Sequence, residues 1–390
     1  MLVLVKLDSW LSTDLNQMLL EGRGLKLNTA EDVREFVEQL MQQDVEEIRL
    51  SGNTIGVEAA EALAGALKHK KHIKIFYTGL NDLPNLANVN CFLVTQVVNL
   101  SDVFTGRLRE EIPPALKAIC DALVDKEHLV ELNLSDNAFG PAGAEPLVDF
   151  LTNQRSLQTL RLNNNGLGVG GGTMIARALL AAAEKNASEG RRSSLRTIVC
   201  GRNRLENGSS QLLADAFAAH GTLVEVVMPQ NGIRPEGISN LARGLAKCTE
   251  LEVLDFQDNT CTEIGSQAIA EALPSWPRLR KLNLGDCLLS APGGLAIAQA
   301  LAKGRNAALA HMNLSYNEIK ADAVAVIAEA IRLHLVELTS LELNGNCFEP
   351  EHKSILAVIE ALEKHGHGDA LDELDDMDIE EEEVCLLSDT

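Results

Sequence analysis

Eight polar side chains in this sequence share one kind of place, the point where an apolar alternation ends and a helical pattern begins. Arg107 and Arg109 sit in FTGRLREEIP, and Asn163 and Asn164 precede Asn165 in LNNNGLG. Arg202 and Arg204 flank Asn203 in GRNRLENG, Arg234 follows Asn231, and Asp258 precedes Asn259. Guanidinium and amide groups hold and orient a polar partner through directional hydrogen bonds. For any one of them a merely solvated residue is the plainer reading. Five basic residues clustered on such turns of an otherwise acidic chain weigh against it.

Other chemistry finds no support. The chain has no P-loop, no Gly-x-Ser-x-Gly elbow and no His-Glu-x-x-His. The run GVGGG (168–172) superficially suits a phosphate cradle, but it lacks the Lys-Ser/Thr of a Walker motif, and a structural turn explains it better. The nine histidines are dispersed, and most of them read as solvated surface positions. The eight cysteines (Cys91, Cys120, Cys200, Cys248, Cys261, Cys287, Cys347, Cys385) form no Cys-x-x-Cys pair, so no metal site is expected. Scattered single thiols favour a reducing compartment.

The elements that must position the polar set follow from a repeat. Leu129, Leu132, Leu134, Asn137 and Phe139 fill the template Leu-x-x-Leu-x-Leu-x-x-Asn-x-apolar, and Leu157, Leu160, Leu162, Asn165 and Leu167 fill it again 28 residues on. Ile48, Leu50, Asn53 and Ile55 form an earlier copy. Later asparagines fall at Asn203, Asn231, Asn259, Asn317 and Asn346, with Cys287 substituting in LRKLNLGDCLL. This is the leucine-rich-repeat signature. Each copy predicts a short strand, an asparagine that satisfies backbone groups at the bend, and a helix with apolar residues at three- and four-residue spacing. One such unit cannot bury its own leucines, so the copies must stack. The expected fold is an α/β leucine-rich-repeat solenoid of the ribonuclease-inhibitor-like horseshoe kind, with parallel strands on the concave side and helices on the convex side.

Of 390 residues, 46% are hydrophobic and only 3% aromatic, which supports a large aliphatic core. Residues 1–18 do not match the template and read as a loosely attached lead-in; MLVLVKL is too short for a secretory core. Residues 19–368 read as about eleven repeats, starting with a degenerate cap in which Thr29 is a candidate helix N-cap. A strand is expected at Ile73–Phe76, followed by an insertion near 77–96. A bulging loop is its plainer reading. A translated retained intron is the second, because removing the segment restores an ordinary repeat. SEGRRSS (188–194) lengthens one repeat to 38 residues and reads as a surface loop. Residues 369–390 hold 11 acids and no Lys or Arg, half of the net charge of −22, and are expected to be disordered. Such acidity argues against nucleic acid and favours a basic protein partner. No apolar run approaches the roughly 20 residues of a membrane span.

The segments EGRGLKLNTAED, LSGNTIGVEAA, SDVFTGRLREEIPPAL, LSDNAFGP, LNNNGLG, GRNRLENG, PQNGIRPEGI, QDNT and LDELDDMD closely resemble the Ran GTPase-activating proteins, in the family's order, over about residues 19–383. The chain departs from them in the lead-in and at 77–96, and looks like the short form that ends in an acidic tail. The resemblance implies stimulation of GTP hydrolysis on Ran, in support of nucleocytoplasmic transport. The partner implied is Ran-GTP, with a Ran-binding protein as a third member of a ternary complex. The implied location is cytoplasmic or, more narrowly, perinuclear. No cofactor of its own and no active site of its own are implied, since GTP and magnesium belong to the GTPase. The family is understood to work without an arginine finger and to help position the GTPase's own glutamine. The assisting asparagine falls on Asn164, and Arg107, Arg109, Asn163, Arg202, Arg204, Arg234 and Asp258 would hold the partner. The residues alone agree on one point. Asn165 fills the template and belongs in the turn, which frees its neighbour Asn164. Two rivals stay open here: a purely binding horseshoe of the ribonuclease-inhibitor type, and a cytosolic sensor module.

Overall fold

The computed structural model describes residues 17–42, 47–69 and 96–378. They fall in two compact units that meet in sequence at Met228 and Pro229. The first unit runs β1 (Gln17–Leu19), β2 (Lys26–Leu27), α1 (Arg34–Gln42), β3 (Glu47–Arg49), β4 (Thr54–Ile55), α2 (Val57–His69), β5 (Gln96–Asn99), α3 (Ile112–Leu123), β6 (Leu129–Asn133), α4 (Gly140–Asn153), β7 (Thr159–Arg161), α5 (Gly168–Ser188), β8 (Thr197–Val199), α6 (Ser210–His220) and β9 (Glu225–Val227). The second runs α7 (Pro235–Leu245), β10 (Val253–Asp255), α8 (Thr262–Ala272), β11 (Lys281–Asn283), α9 (Ser290–Leu301), β12 (His311–Asn313), α10 (Ala321–Leu333), β13 (Ser340–Glu342) and α11 (Lys353–Lys364). The fold class is an α/β leucine-rich-repeat solenoid.

Within each unit the described strands pair in parallel, and the repeat sets the register. In the first unit Leu132 lies opposite Leu160, Leu160 opposite Ile198, and Ile198 opposite Val226. In the second, Leu254, Leu282, Met312 and Leu341 form the same row. All these side chains are buried. The helices cover them with an apolar stripe, as with Ile238, Leu241, Ala242 and Leu245 of α7. Pro235 opens that helix with a preset φ and no N–H to lose. Among the described residues the aromatics other than Tyr316 lie in the core; Trp276 is fully buried and donates its indole N–H to Leu245 O at 2.9 Å.

Strands of three residues cannot satisfy the backbone of the bends that follow them, and the repeat asparagines do so. Asn165 donates to Leu134 O and Leu162 O, both at 3.0 Å, and accepts Asn137 N–H at 2.9 Å. Asn137 donates to Leu100 O and Leu134 O, and Asn203 to Leu162 O and Gly201 O. Asn53 repeats the pattern on Leu20 O and Leu50 O. In the second unit Asn259 accepts Asn231 N–H, Asn317 accepts Cys287 N–H, and Asn346 accepts Asn317 N–H. All eight asparagines are buried, Asn231 included. Cys287 substitutes with its thiol, which lies 3.2 Å from Phe256 O.

Three boundaries differ from expectation. Gln17 and Met18, assigned to the lead-in, begin β1 and pair with Glu47 and Ile48. Gln96, the last residue of the expected insertion, is the first of β5, which pairs directly with β3. The expected strand at Ile73–Phe76 and the rest of the insertion lie outside the described residues.

The third difference is at the C-terminus. Residues 369–378 are not a free tail; they close the edge of β13. Leu341 N–H donates to Ala370 O at 2.7 Å, and Asp372 N–H returns to Leu341 O at 3.0 Å. The Asp372 carboxylate accepts Leu343 N–H at 2.9 Å, Asp376 accepts the Tyr316 hydroxyl at 2.9 Å, and Asp378 N–H reaches Asn346 O at 3.0 Å. The last strand of a stacked array presents unpaired backbone groups, and carboxylates are strong acceptors for them. Acid-rich composition suggests solvation, whereas here the acids serve as backbone substitutes. Burial pushes the Asp372 carboxyl above its usual range against the pull of those N–H bonds, and burial with Asp372 nearby raises Glu342.

Truncation separates the two parts of this terminus. Removing 379–390 should leave the melting temperature unchanged. Removing 369–390 should cost about 2–4 kcal/mol, from several net hydrogen bonds of about 1 kcal/mol each. Denaturant titrations of both truncations check this.

Candidate functional site

The turn that buries each repeat asparagine also fixes the residue before it. Asp136 (φ 62°), Asn164 (52°) and Arg202 (56°) in the first unit, and Gln230, Asp258 and Asp286 (each 53°) and Tyr316 (54°) in the second, are all left-handed. That conformation costs a typical L-residue roughly 1–2 kcal/mol, with Asn and Asp the best tolerated after Gly. Hydrogen bonds from the following repeat hold it in place. Asp136 N–H donates to Asn163 O at 2.9 Å, Asn164 N–H to Gly201 O at 2.9 Å, and Asp258 N–H to Gly285 O at 3.0 Å. The chain reverses here, so one side chain points in and the one before it points out. Asn165 is fully buried and Asn164 is exposed.

Successive outward positions touch. Asn164 Nδ2 donates to Asp136 Oδ1 at 3.0 Å, which fixes the plane of an exposed amide. Arg202, at the same position one repeat on, and Arg204 are exposed and make no hydrogen bond or ion pair among the described residues. Arg109 is likewise exposed and unpaired, with its guanidinium beside Gly140, whose N–H bonds Asn165 O at 2.8 Å. Leu108, between the two arginines, is 62% exposed. The first unit thus gathers cations, an oriented amide and an exposed leucine on the same series of turns.

The second unit holds the remaining two. Arg234 is exposed at the N-cap of α7. Asp258 accepts Gln230 Nε2 at 2.6 Å and, with Gly232, Thr260, Asp286 and Leu288, lines a surface concavity of about 420 Å³.

Two expected contact residues are occupied within the fold. The Arg107 guanidinium donates to Asn28 Oδ1 at 2.7 Å, Leu27 O at 3.2 Å, and both Thr54 O and Thr54 Oγ1 at 2.9 Å. It clamps the first two turns together instead of facing outward. Asp32 beside it is held below the usual carboxylate range, first by the N–H groups of Thr29 and Asn28 and in small part by Arg107. Asn163 is half-buried, and its Oδ1 accepts Gly201 N–H at 2.5 Å, bracing the turn that carries Asn164. GVGGG is a packing device: a Cβ at Gly172 would meet Leu205 Cδ2 at 2.6 Å.

Sequence reasoning passed over Asp136 and Gln230, the hydrogen-bond partners of Asn164 and Asp258. The signal was available, since both immediately precede a repeat asparagine, as Asn164 and Asp258 do.

Parallel strands, buried asparagines and outward-facing turn residues define a leucine-rich-repeat protein. Residues 43–64, 126–148 and 153–176 match the family model described as leucine-rich repeat. The chain is 35% identical over 342 residues to Ran GTPase-activating protein 1 of Saccharomyces cerevisiae, covering 86% of this chain and 79% of that protein. It is 39% identical over 339 residues to Ran GTPase-activating protein 1 of Xenopus laevis, covering 86% of this chain but 54% of the frog protein. The pig ribonuclease inhibitor is more distant, at 26% over 48% of this chain. The chain belongs to the Ran GTPase-activating protein family.

Neighbouring asparagines should respond differently to truncation. Asn165→Ala strands Leu134 O, Leu162 O and Asn137 N–H in the core and should cost about 2–4 kcal/mol. Asn164→Ala loses one exposed bond and places Ala in a left-handed turn, at a cost of about 1 kcal/mol. Thermal melts of both variants check the contrast. Arg107→Ala should loosen the first turns specifically. Hydrogen exchange at the N–H groups of Leu25, Thr54 and Gly56 should accelerate about tenfold or more, the amount one lost charged hydrogen bond implies, while the second unit keeps its protection.

Proposed function

We propose that this protein accelerates GTP hydrolysis by Ran, acting from the cytoplasm in support of nucleocytoplasmic transport. It works without an arginine finger, by helping position the GTPase's own glutamine. Phosphoryl transfer needs little covalent help from protein; its catalysis is mostly positioning and charge stabilisation. A glutamine that orients the attacking water is effective only when it is held, and an amide can hold it by hydrogen bonding. Asn164 supplies that amide. The observation that carries this reading is its geometry: exposed, locked in a left-handed turn by Gly201, and oriented by Asp136.

The surroundings support it. Arg107, the arginine that a finger mechanism would first consider, has its guanidinium engaged by Asn28, Leu27 and Thr54. Arg109, Arg202 and Arg204 are left to grip acidic groups of the partner, and Asp258 with Asp286 to meet basic ones. The curated relatives of yeast and frog are named for the same activity.

Single-turnover hydrolysis of Ran-GTP at rising concentrations of this protein tests the proposal. Catalytic amounts should suffice. Asn164→Ala should lower the saturating rate by tenfold or more, about 1.4 kcal/mol of barrier per decade. Arg109→Ala should raise the concentration needed for half-maximal effect and leave the plateau largely intact. Stoichiometric binding with no acceleration would instead mark a purely binding protein.

A further inference from the structure

The repeat stretches at the connection between α5 and β8. Asn165 and Asn203 stand 38 residues apart, against 28 between Asn137 and Asn165. The extra length forms the end of α5 and an irregular loop, Glu189 to Arg196. Arg191 N–H still bonds Asn186 O at 2.8 Å. Beyond it, Ser193, Ser194 and Leu195 give no backbone N–H to a backbone carbonyl among the described residues. Side chains hold them instead: Ser193 Oγ lies 2.6 Å from His220 Nδ1, and Ser194 Oγ donates to Arg155 O at 2.9 Å. Arg191 and Arg192 are exposed, while both serines are half-buried.

The loop borders a cavity of about 600 Å³, whose walls include Ser194, Arg155, Arg191, Lys126 and His128. Its arginines are poorly matched. Arg155 Nη2 is buried with no hydrogen-bond partner, and its nearest carboxylate oxygen, Glu189 Oε1, is 3.6 Å away. Arg191 reaches only the other oxygen of the same carboxylate, at 4.0 Å. One glutamate is thus shared loosely between two guanidinium groups. Asp125 and Glu127 also line the cavity, but both are exposed, where water and salt screen them. The vacant donors suit a phosphate, which guanidinium groups bind in a bidentate fashion.

We propose that Ser194 is a phosphorylation site whose phosphate is received by Arg155 and Arg191. A serine kinase with an acidic cleft would recognise the exposed Arg191 and Arg192, three and two residues before the acceptor. The γ-phosphoryl group of ATP passes to Ser194 Oγ. The new O–P bond replaces the β–γ phosphoanhydride bond, ADP leaves, and the hydroxyl proton goes to the kinase's base. Access requires release of the side-chain hydrogen bonds of Ser193 and Ser194, Leu195 N–H to Ser193 Oγ at 3.3 Å included, and no strand or helix backbone pairing. Ser193 is the poorer acceptor, because it does not line the large cavity and its hydroxyl faces the buried His220 instead. A phosphate at Ser194 adds up to two negative charges and ties the loops after α4 and α5 together, just ahead of the strand that leads to Arg202 and Arg204.

The test uses the full chain, ATP and the catalytic subunit of an arginine-directed serine kinase, with incorporation mapped by mass spectrometry. About one phosphate per chain is expected, on Ser194, and it should be lost in Ser194→Ala. Arg192→Ala should slow incorporation tenfold or more without changing the fold, as read by circular dichroism. The phosphorylated chain should melt roughly 2 °C higher than the unmodified one, and Arg155→Gln should remove that gain while still being phosphorylated. Failure of the folded chain to accept phosphate, modification of Ser193 instead, or a fall in melting temperature on phosphorylation would overturn the assignment.

Discussion

A bend at the end of every three-residue strand places backbone carbonyl and N–H groups where water cannot reach them. Leaving one such group unsatisfied costs about 1–3 kcal/mol. Each repeat asparagine removes that cost for two repeats at once, donating to carbonyls on its own turn and the preceding one and accepting an N–H from the preceding turn, as Asn165 does with Leu162, Leu134 and Asn137. The amide is short, branched and bifunctional, which is why the position tolerates little else. Cys287 and Val103 stand at that position instead; the thiol supplies only a single donor, to Phe256 O, and valine supplies none. The row of asparagines therefore sets the repeat length, the strand register and the handedness of the turn together.

The outward face follows from the same constraint. To bring asparagine inward the chain must take a left-handed step just before it, and that step projects one side chain into solvent. A position created for structural reasons is then available for recognition, repeat after repeat. Asp136, Asn164 and Arg202 occupy it in the first unit, and Gln230, Asp258 and Asp286 in the second. Their differing chemistry on one backbone geometry is how a uniform scaffold presents a non-uniform surface. The termini obey the constraint too. No further strand follows β13 among the described residues, and Asp372 supplies acceptors to its edge.

What the sequence displayed and what it concealed divide along sequence distance. The period, the strand cores and the helix stripes are local patterns that recur, so Leu132, Leu160 and Ile198 could be aligned before any coordinates. The adjacency of an inward Asn165 and an outward Asn164 followed from counting. Arg107 was concealed because its partner Asn28 is 79 residues away and joined through turns that no local pattern relates. Residues 369–378 were concealed because an acidic run normally signals solvation, and composition does not show an unpaired strand edge waiting for carboxylates. Asp136 and Gln230 were visible in principle, one position before an asparagine, but their importance lies in a side-chain contact between repeats.

The central claim is that one turn divides its work, with the fold in Asn165 and the activity in Asn164. Asn164→Gly probes it most directly, because glycine removes the amide while relieving the left-handed backbone at φ 52°. Melting temperature and saturating single-turnover hydrolysis of Ran-GTP should be measured on the same preparation. The account predicts a variant at least as stable as the parent whose saturating rate has fallen by tenfold or more. A destabilised variant that keeps the full rate would contradict it.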